Sequence, residues 1–186
     1  MNIEIRRACA TLLALCVSVG VHGFEEDRLQ EIIIKGESAE LDEQSGVITY
    51  KGAVTLKQGS LALSADVLRA VREDGQVVEI TASQGEAADA VSYAQCIRPD
   101  EPEVTAVAQE MIYDLRAQTI QLRGDAVLQQ SDVEFRGTLI LYDIARGKTE
   151  ASGEVEMRLP ASVVNTLGTG QEDQGSVPQL RAPCRR

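Results

Sequence analysis

A 28-residue stretch recurs 72 positions further along the chain, and this constrains the fold more than any other feature. Leu41–Leu68, LDEQSGVITYKGAVTLKQGSLALSADVL, aligns without a gap on Tyr113–Ile140, YDLRAQTIQLRGDAVLQQSDVEFRGTLI. Asp42 falls on Asp114, Ile48 on Ile120, Gly52 on Gly124, Leu56 on Leu128 and Leu63 on Phe135. Within each unit the apolar residues alternate. Ile48, Tyr50, Val54 and Leu56 are separated by polar Thr49, Lys51 and Thr55, and Ile120, Leu122, Ala126 and Leu128 by Gln121, Arg123 and Asp125. A period of two predicts β-strands with one dry and one wet face. Polar or glycine-bearing stretches interrupt the runs at Glu43–Gly46, Lys57–Ser60, Glu73–Gly75, Gln130–Asp132 and Ala145–Gly147. Gly and Asp supply the left-handed backbone of tight hairpins, so the strands are expected to be antiparallel.

Glycine also occurs inside the runs. Gly52, Gly85, Gly124 and Gly153 each stand two residues before an apolar position. A glycine within a strand marks a bend or bulge. Gly52 and Gly124 share one repeat position, which favours bends over strand ends. Long strands that fold over at these points would curl the sheet into a V or roll. The Cys96–Glu103 stretch, CIRPDEPE, reads as a loop between the two units.

The flanks differ in character. Arg6 and Arg7 precede the uncharged apolar run Ala8–Val21, and small residues follow before Phe24. Residues 1–23 therefore read as a secretory signal peptide, residues 24–167 as the folded domain, and the Gly-, Gln- and Pro-rich residues 168–186 as a polar, disordered tail. Removing residues 1–23 takes away Arg6, Arg7 and Glu4, and leaves 16 of 18 basic and 28 of 29 acidic residues, a net charge of −12. Such a charge disfavours nucleic acid as a partner. Of four cysteines, Cys96 and Cys184 remain; in an oxidising compartment they are candidates for a disulfide, or stay as two thiols.

Catalytic and metal chemistry lack their residues. The single histidine, His22, lies in the signal segment, so the remaining chain has no histidine-based triad, general base or zinc site. Lys51 and Lys57 fall on wet faces. Tyr113-Asp114 and Tyr142-Asp143 read as strand-end tyrosines followed by turn-capping aspartates. No enzymatic activity, metal or cofactor is expected.

The remaining feature is the apolar face. Its expected inward residues are Ile32, Ile34, Leu41, Ile48, Tyr50, Val54, Leu56, Leu61, Leu63, Val67, Ile80, Met111, Tyr113, Ile120, Leu122, Leu128, Val133, Phe135, Leu139 and Leu141. Such a face can close as a sandwich core or line a groove. Aromatics are only 3% of the chain and tryptophan is absent, so the lining is mainly aliphatic. That suits a flexible alkyl guest, each buried methylene contributing about 0.8 kcal/mol.

Gly46–Leu68 and Met111–Asp143, with the Ser64-Ala65-Asp66 segment and the Leu122–Gln130 run LRGDAVLQQ, resemble the OstA-like family of periplasmic lipopolysaccharide-transport proteins. The similarity extends from about Ile32 to Leu159. It implies an all-β fold, a twisted, open-ended β-jellyroll of folded-over antiparallel strands with an apolar groove. It also implies a periplasmic carrier or bridge for outer-membrane assembly in the Gram-negative envelope. The inward residues would contact the acyl chains of lipid A. Ile32–Ile34 and Val155–Leu159 would lie at opposite open ends and pair with neighbours: an inner-membrane extractor complex, an outer-membrane translocon, or further copies stacked end to end. The CIRPDEPE insertion, the long tail and the Cys96/Cys184 pair depart from the family pattern. Without the resemblance, the same residues fit a periplasmic scaffold or adaptor with a filled core, which binds partners through edge strands and takes no lipid.

Overall fold

The computed structural model describes residues 27, 29–85, 90–97 and 101–160. The signal segment 1–23, the tail 168–186 and Cys184 lie outside the described residues. Twelve strands run through the described part: β1 (Ile33–Lys35), β2 (Ser38–Asp42), β3 (Val47–Gln58), β4 (Leu61–Glu73), β5 (Gln76–Ser83), β6 (Val91–Gln95), β7 (Val104–Ala108), β8 (Glu110–Asp114), β9 (Thr119–Gln130), β10 (Val133–Asp143), β11 (Lys148–Ser152) and β12 (Glu156–Arg158).

Pairing resolves them into eight long antiparallel strands, each bent near its middle. β3, β4, β9 and β10 pass the bend unbroken; β1–β2, β5–β6, β7–β8 and β11–β12 are interrupted there. One arm of the resulting V has the order β2-β3-β4-β5-β8-β9-β10-β11. The other has β1-β3-β4-β6-β7-β9-β10-β12. Inward residues of both arms belong to a single buried apolar cluster, so the arms face each other.

The repeat is geometric as well as textual. β3 and β9 begin and end 72 residues apart. At their bends Gly52-Ala53 and Gly124-Asp125 are consecutive left-handed residues, with φ of 78° and 43°, and 72° and 45°. Each bulge presents two carbonyls to one amide of the neighbouring strand. Glu37 N–H is shared by Lys51 and Gly52, and Gln109 N–H by Arg123 and Gly124, at 3.0–3.1 Å. Gly153 (φ 72°) makes the same kind of corner, its carbonyl accepting from Thr138 N–H at 2.8 Å. Gly85 lies past the end of β5, where Asp66 Oδ2 accepts its N–H at 3.0 Å. All four glycines therefore stand at the fold-over line.

The turns follow the aspartate rule. Asp42 accepts from Gln44 N–H (2.9 Å) and Ser45 N–H (3.3 Å), and Asp114 accepts from Arg116 N–H (2.9 Å) and Ala117 N–H (2.8 Å). Asp143 accepts from Arg146 N–H at 2.9 Å. The Ser45 hydroxyl, then the two turn amides, hold the Asp42 carboxyl below its ordinary value.

Gly46 is held tightly against backbone. Its φ is +69°, and a Cβ would lie 2.6 Å from the Arg72 carbonyl oxygen. Gly75 has φ +79° but open space around it. Gly75→Ala should cost only left-handed strain, about 1–2 kcal/mol. Gly46→Ala should cost more than Gly75→Ala, because backbone must also move. Chemical denaturation of the two variants checks the order; equal losses would show that the turn relaxes freely.

Candidate functional site

The inner face is organised in rows that cross every strand. In the first arm the paired residues Leu41, Ile48, Ala70, Ile80, Tyr113, Ile120, Tyr142 and Thr149 form one row. Beside it run Ala39, Tyr50, Leu68, Ala82, Met111, Leu122, Ile140 and Ala151. The second arm contributes Ile34, Leu56, Leu63, Tyr93, Ala106, Leu128, Phe135 and Met157. Cross-strand partners share a face of the sheet, so each row is a continuous apolar track broken only by Thr149. Seven inter-strand steps make it about 33 Å long.

Exposure changes along the tracks. The middle is sealed, with Ile120, Leu128, Ile140 and Tyr142 at 0%. Each arm is open at one end: Leu41 is 47% exposed on β2, and Val155, Met157 and Leu159 are 48–52% exposed on and beside β12, while Ile34, Thr149 and Ala151 at the remaining ends are half-buried. Both ends are edges of the sheet.

Most of the expected inward residues lie on this face: Val54, Leu56, Leu61, Leu63, Ile80, Met111, Tyr113, Ile120, Leu122 and Leu128 are buried. Ile32, Ile34, Tyr50 and Phe135 pack partly buried against them, and Ile48 and Val133 are half-buried. Leu41 shares the inner face through its partner Ile48, although solvent reaches it.

Three expectations are corrected. Val67 pairs with Lys51, Leu139 with Arg123 and Leu141 with Gln121, so all three belong to the outer face. Leu68, Ile140 and Tyr142 take the inward places at 0% exposure. The cause lies at the bend. Between the pairs Lys51↔Val67 and Val54↔Ala65, β3 uses one residue more than β4; β9 likewise uses one more than β10. That mismatch reverses the alternation in β4 and β10.

Sequence reasoning also missed β6 and β7, which bring Val91, Tyr93, Val104, Ala106 and Ala108 into the core. Their signal was present as two short alternating runs flanking CIRPDEPE, but alanine carried much of it.

Polar groups cluster where the arm tips meet. Asp27, buried, accepts from Ser60 N–H at 3.1 Å, from the Ser60 hydroxyl, and from Gln95 Nε2 at 3.4 Å. Tyr93 OH donates to Gln95 Oε1 at 2.6 Å. Burial, with Tyr113, Tyr142 and Asp27 nearby, holds the Tyr93 hydroxyl well above its ordinary value, so it remains a donor. Cys96, whose N–H donates to Ser60 Oγ at 3.1 Å, is disulfide-bonded. A cleft of about 220 Å³ opens between the tips, lined by Ile32 and Gln58 from one arm and by Gln76, Val77, Val78, Tyr113, Leu115 and Arg116 from the other.

An antiparallel roll of bent strands, apolar inside and with terminal strands that pair on one side only among the described residues, defines an open-ended β-jellyroll. Residues 33–148 match the family model for the LptA/(LptD N-terminal domain) LPS transport protein. The chain is 27% identical over 165 residues to the lipopolysaccharide export system protein LptA of Escherichia coli K12, covering 88% of this chain and 87% of that protein. It is 31% identical over 120 residues to the lipopolysaccharide export system protein LptH of Pseudomonas aeruginosa, covering 64% of this chain and 67% of that one. The crystal structure of LptH, described as the LptA-homologous periplasmic component of the conserved lipopolysaccharide transport device, superimposes with a TM-score of 0.66 at 25% identity, over 73% of this chain and 99% of that chain. This chain belongs to the LptA/LptD N-terminal domain family of lipopolysaccharide-transport proteins.

Proposed function

We propose that this protein is a non-enzymatic periplasmic carrier that moves lipopolysaccharide from the inner to the outer membrane, with the lipid A acyl chains held between the two arms. The observation that carries this reading is the set of apolar tracks running across the sheet from one terminal strand to the other. Neighbouring positions along a track are chemically alike, so a sliding alkyl chain exchanges one aliphatic contact for another at little net cost. Direction must then come from outside, from an energy-driven extractor at the inner membrane. β1 and β2 at one end and β11 and β12 at the other have outer edges that no other described strand pairs, and these suit strand addition to that extractor, to an outer-membrane translocon, or to further copies. The expected domain, residues 24–167, would carry this function.

A photo-crosslinking residue at Leu56, Leu128 or Phe135 is expected to label lipopolysaccharide in the envelope, while one at Lys57 or Glu134 is not. Labelling confined to the outer positions would sink the carrier reading. One observation favours a second reading, a lipid-free scaffold: the middle of the interior is closed, with Ile120 and Leu128 fully buried. Native mass spectrometry of protein taken gently from the envelope separates the two, since a scaffold arrives without lipid. If the protein is a carrier, its arms must part to admit a guest.

A further inference from the structure

We propose that the N-terminal strap, Asp27 and Leu29–Ile32, is a latched cover over the slot between the arm tips, and that its release opens the interior to an alkyl chain. The inference rests on the carrier reading and adds to it a point of entry.

Among the described residues, the strap's polar anchors lie on one arm. The Asp27 carboxylate is held at Ser60 and Gln95, and the Gln30 carbonyl accepts from Gln58 Nε2 at 3.2 Å. An apolar anchor reaches across. Ile32 packs against the core and shares the tip cleft with Val77, Val78 and Leu115 of the opposite arm. Leu29 contributes nothing to the core, being 86% exposed. Among the described residues, the strap is fixed to one arm by hydrogen bonds and meets the other at Ile32, so it can lift without breaking the strand pairing that begins at Ile33↔Lys57.

The latch is closely fitted. A Cβ on Gly59 would fall 2.2 Å from Asp27 Oδ1, so only glycine leaves room for the carboxylate. The latch is also wired to the interior. Gln95 bonds Asp27 on one side and the Tyr93 hydroxyl on the other, and Tyr93 belongs to the second-arm track. A guest that displaces Tyr93 would therefore loosen Gln95 from Asp27. A buried carboxylate with three donors is costly to leave unpaired, so the latch should be either fully closed or released to water.

The test compares wild type with Asp27→Ala, Gly59→Ala and Gly75→Ala. Gly59→Ala evicts the carboxylate while keeping it in the chain. Gly75→Ala controls for left-handed strain alone, since nothing surrounds Gly75. Two readouts are taken on folded protein: fluorescence of anilinonaphthalene sulfonate, which reports apolar access, and the association rate of purified lipopolysaccharide. Asp27→Ala and Gly59→Ala are expected to raise both by at least about tenfold, the loss of even one of the three hydrogen bonds to the carboxylate, with Gly75→Ala unchanged. Unchanged access and rate in both latch variants, or an equal rise in Gly75→Ala, would overturn the proposal. Dye access that rises while no form binds lipopolysaccharide keeps the cover and overturns only the carrier reading.

Discussion

Truncating Leu56 or Leu128 to alanine is expected to cost about 2–5 kcal/mol of folding stability in each case, and the two losses should nearly add. The side chains occupy equivalent repeat positions and are 1% and 0% exposed. Each removes one methine and two methyl carbons from a packed row, and the interior cannot fully collapse around the space left. Additivity follows from the topology. In the second arm β4, β6 and β7 stand between β3 and β9, so the two sites are four strand spacings apart, about 19 Å along the sheet. Sites separated by more than about 10 Å with no shared partner usually add to within about 0.5 kcal/mol. Urea unfolding of wild type, both single variants and the double variant gives the coupling. A value above about 1 kcal/mol would mean that the interior behaves as one rigid plug. Independence is what a carrier needs, because a guest at one point of the track should not unfold the rest.

How far the alternation could be trusted differs from strand to strand, and the bend explains why. In β3 the inward series Ile48, Tyr50, Val54, Leu56 stays on even numbers because the bulge at Gly52-Ala53 spans Lys51 to Val54. β9 repeats this with Ile120, Leu122, Ala126 and Leu128. A period of two therefore reads both strands correctly from end to end. In β4 the buried series passes from Ala65 to Leu68, and in β10 Ile140 and Tyr142 take over from Phe135. Each changes parity in mid-strand, and a straight-strand reading carries the wrong face into the far half. Val67 and Leu139, both misassigned, are the same repeat position. Recognising Gly52 and Gly124 as bulges implied that their partner strands would fall one residue out of step; carrying that count across the hairpin would have recovered Leu68, Ile140 and Tyr142. The latch at Asp27 had no sequence signature. It depends on Ser60 and Gln95, 33 and 68 residues away, and only the fold brings them together.

Met157→Asp is expected to leave the fold intact and to weaken end-to-end assembly more than tenfold. Met157 is 52% exposed, so the substitution buries no charge within the monomer and should change stability by less than about 1 kcal/mol. Its partner Phe135 places it on the inner face, at the end of the second-arm track. Val155 and Leu159, two residues to either side on this short edge, are also about half exposed. Among the described residues β12 pairs only with β10. An edge that no described strand covers, with an apolar inner face, invites another strand. The opposite end presents β1 and β2, a different surface, so successive molecules would join head to tail rather than by a twofold contact. An aspartate at Met157 would then lie in the apolar seam between two tracks, unpaired and stripped of water, which costs several kcal/mol. Glu156→Lys, on the outer face of the same strand, should have a much smaller effect. Sedimentation of the protein alone, and capture of partner jellyroll domains on the immobilised variants, measure the difference. If Met157→Asp assembles as wild type does, the tracks of adjacent molecules are not continuous through this edge.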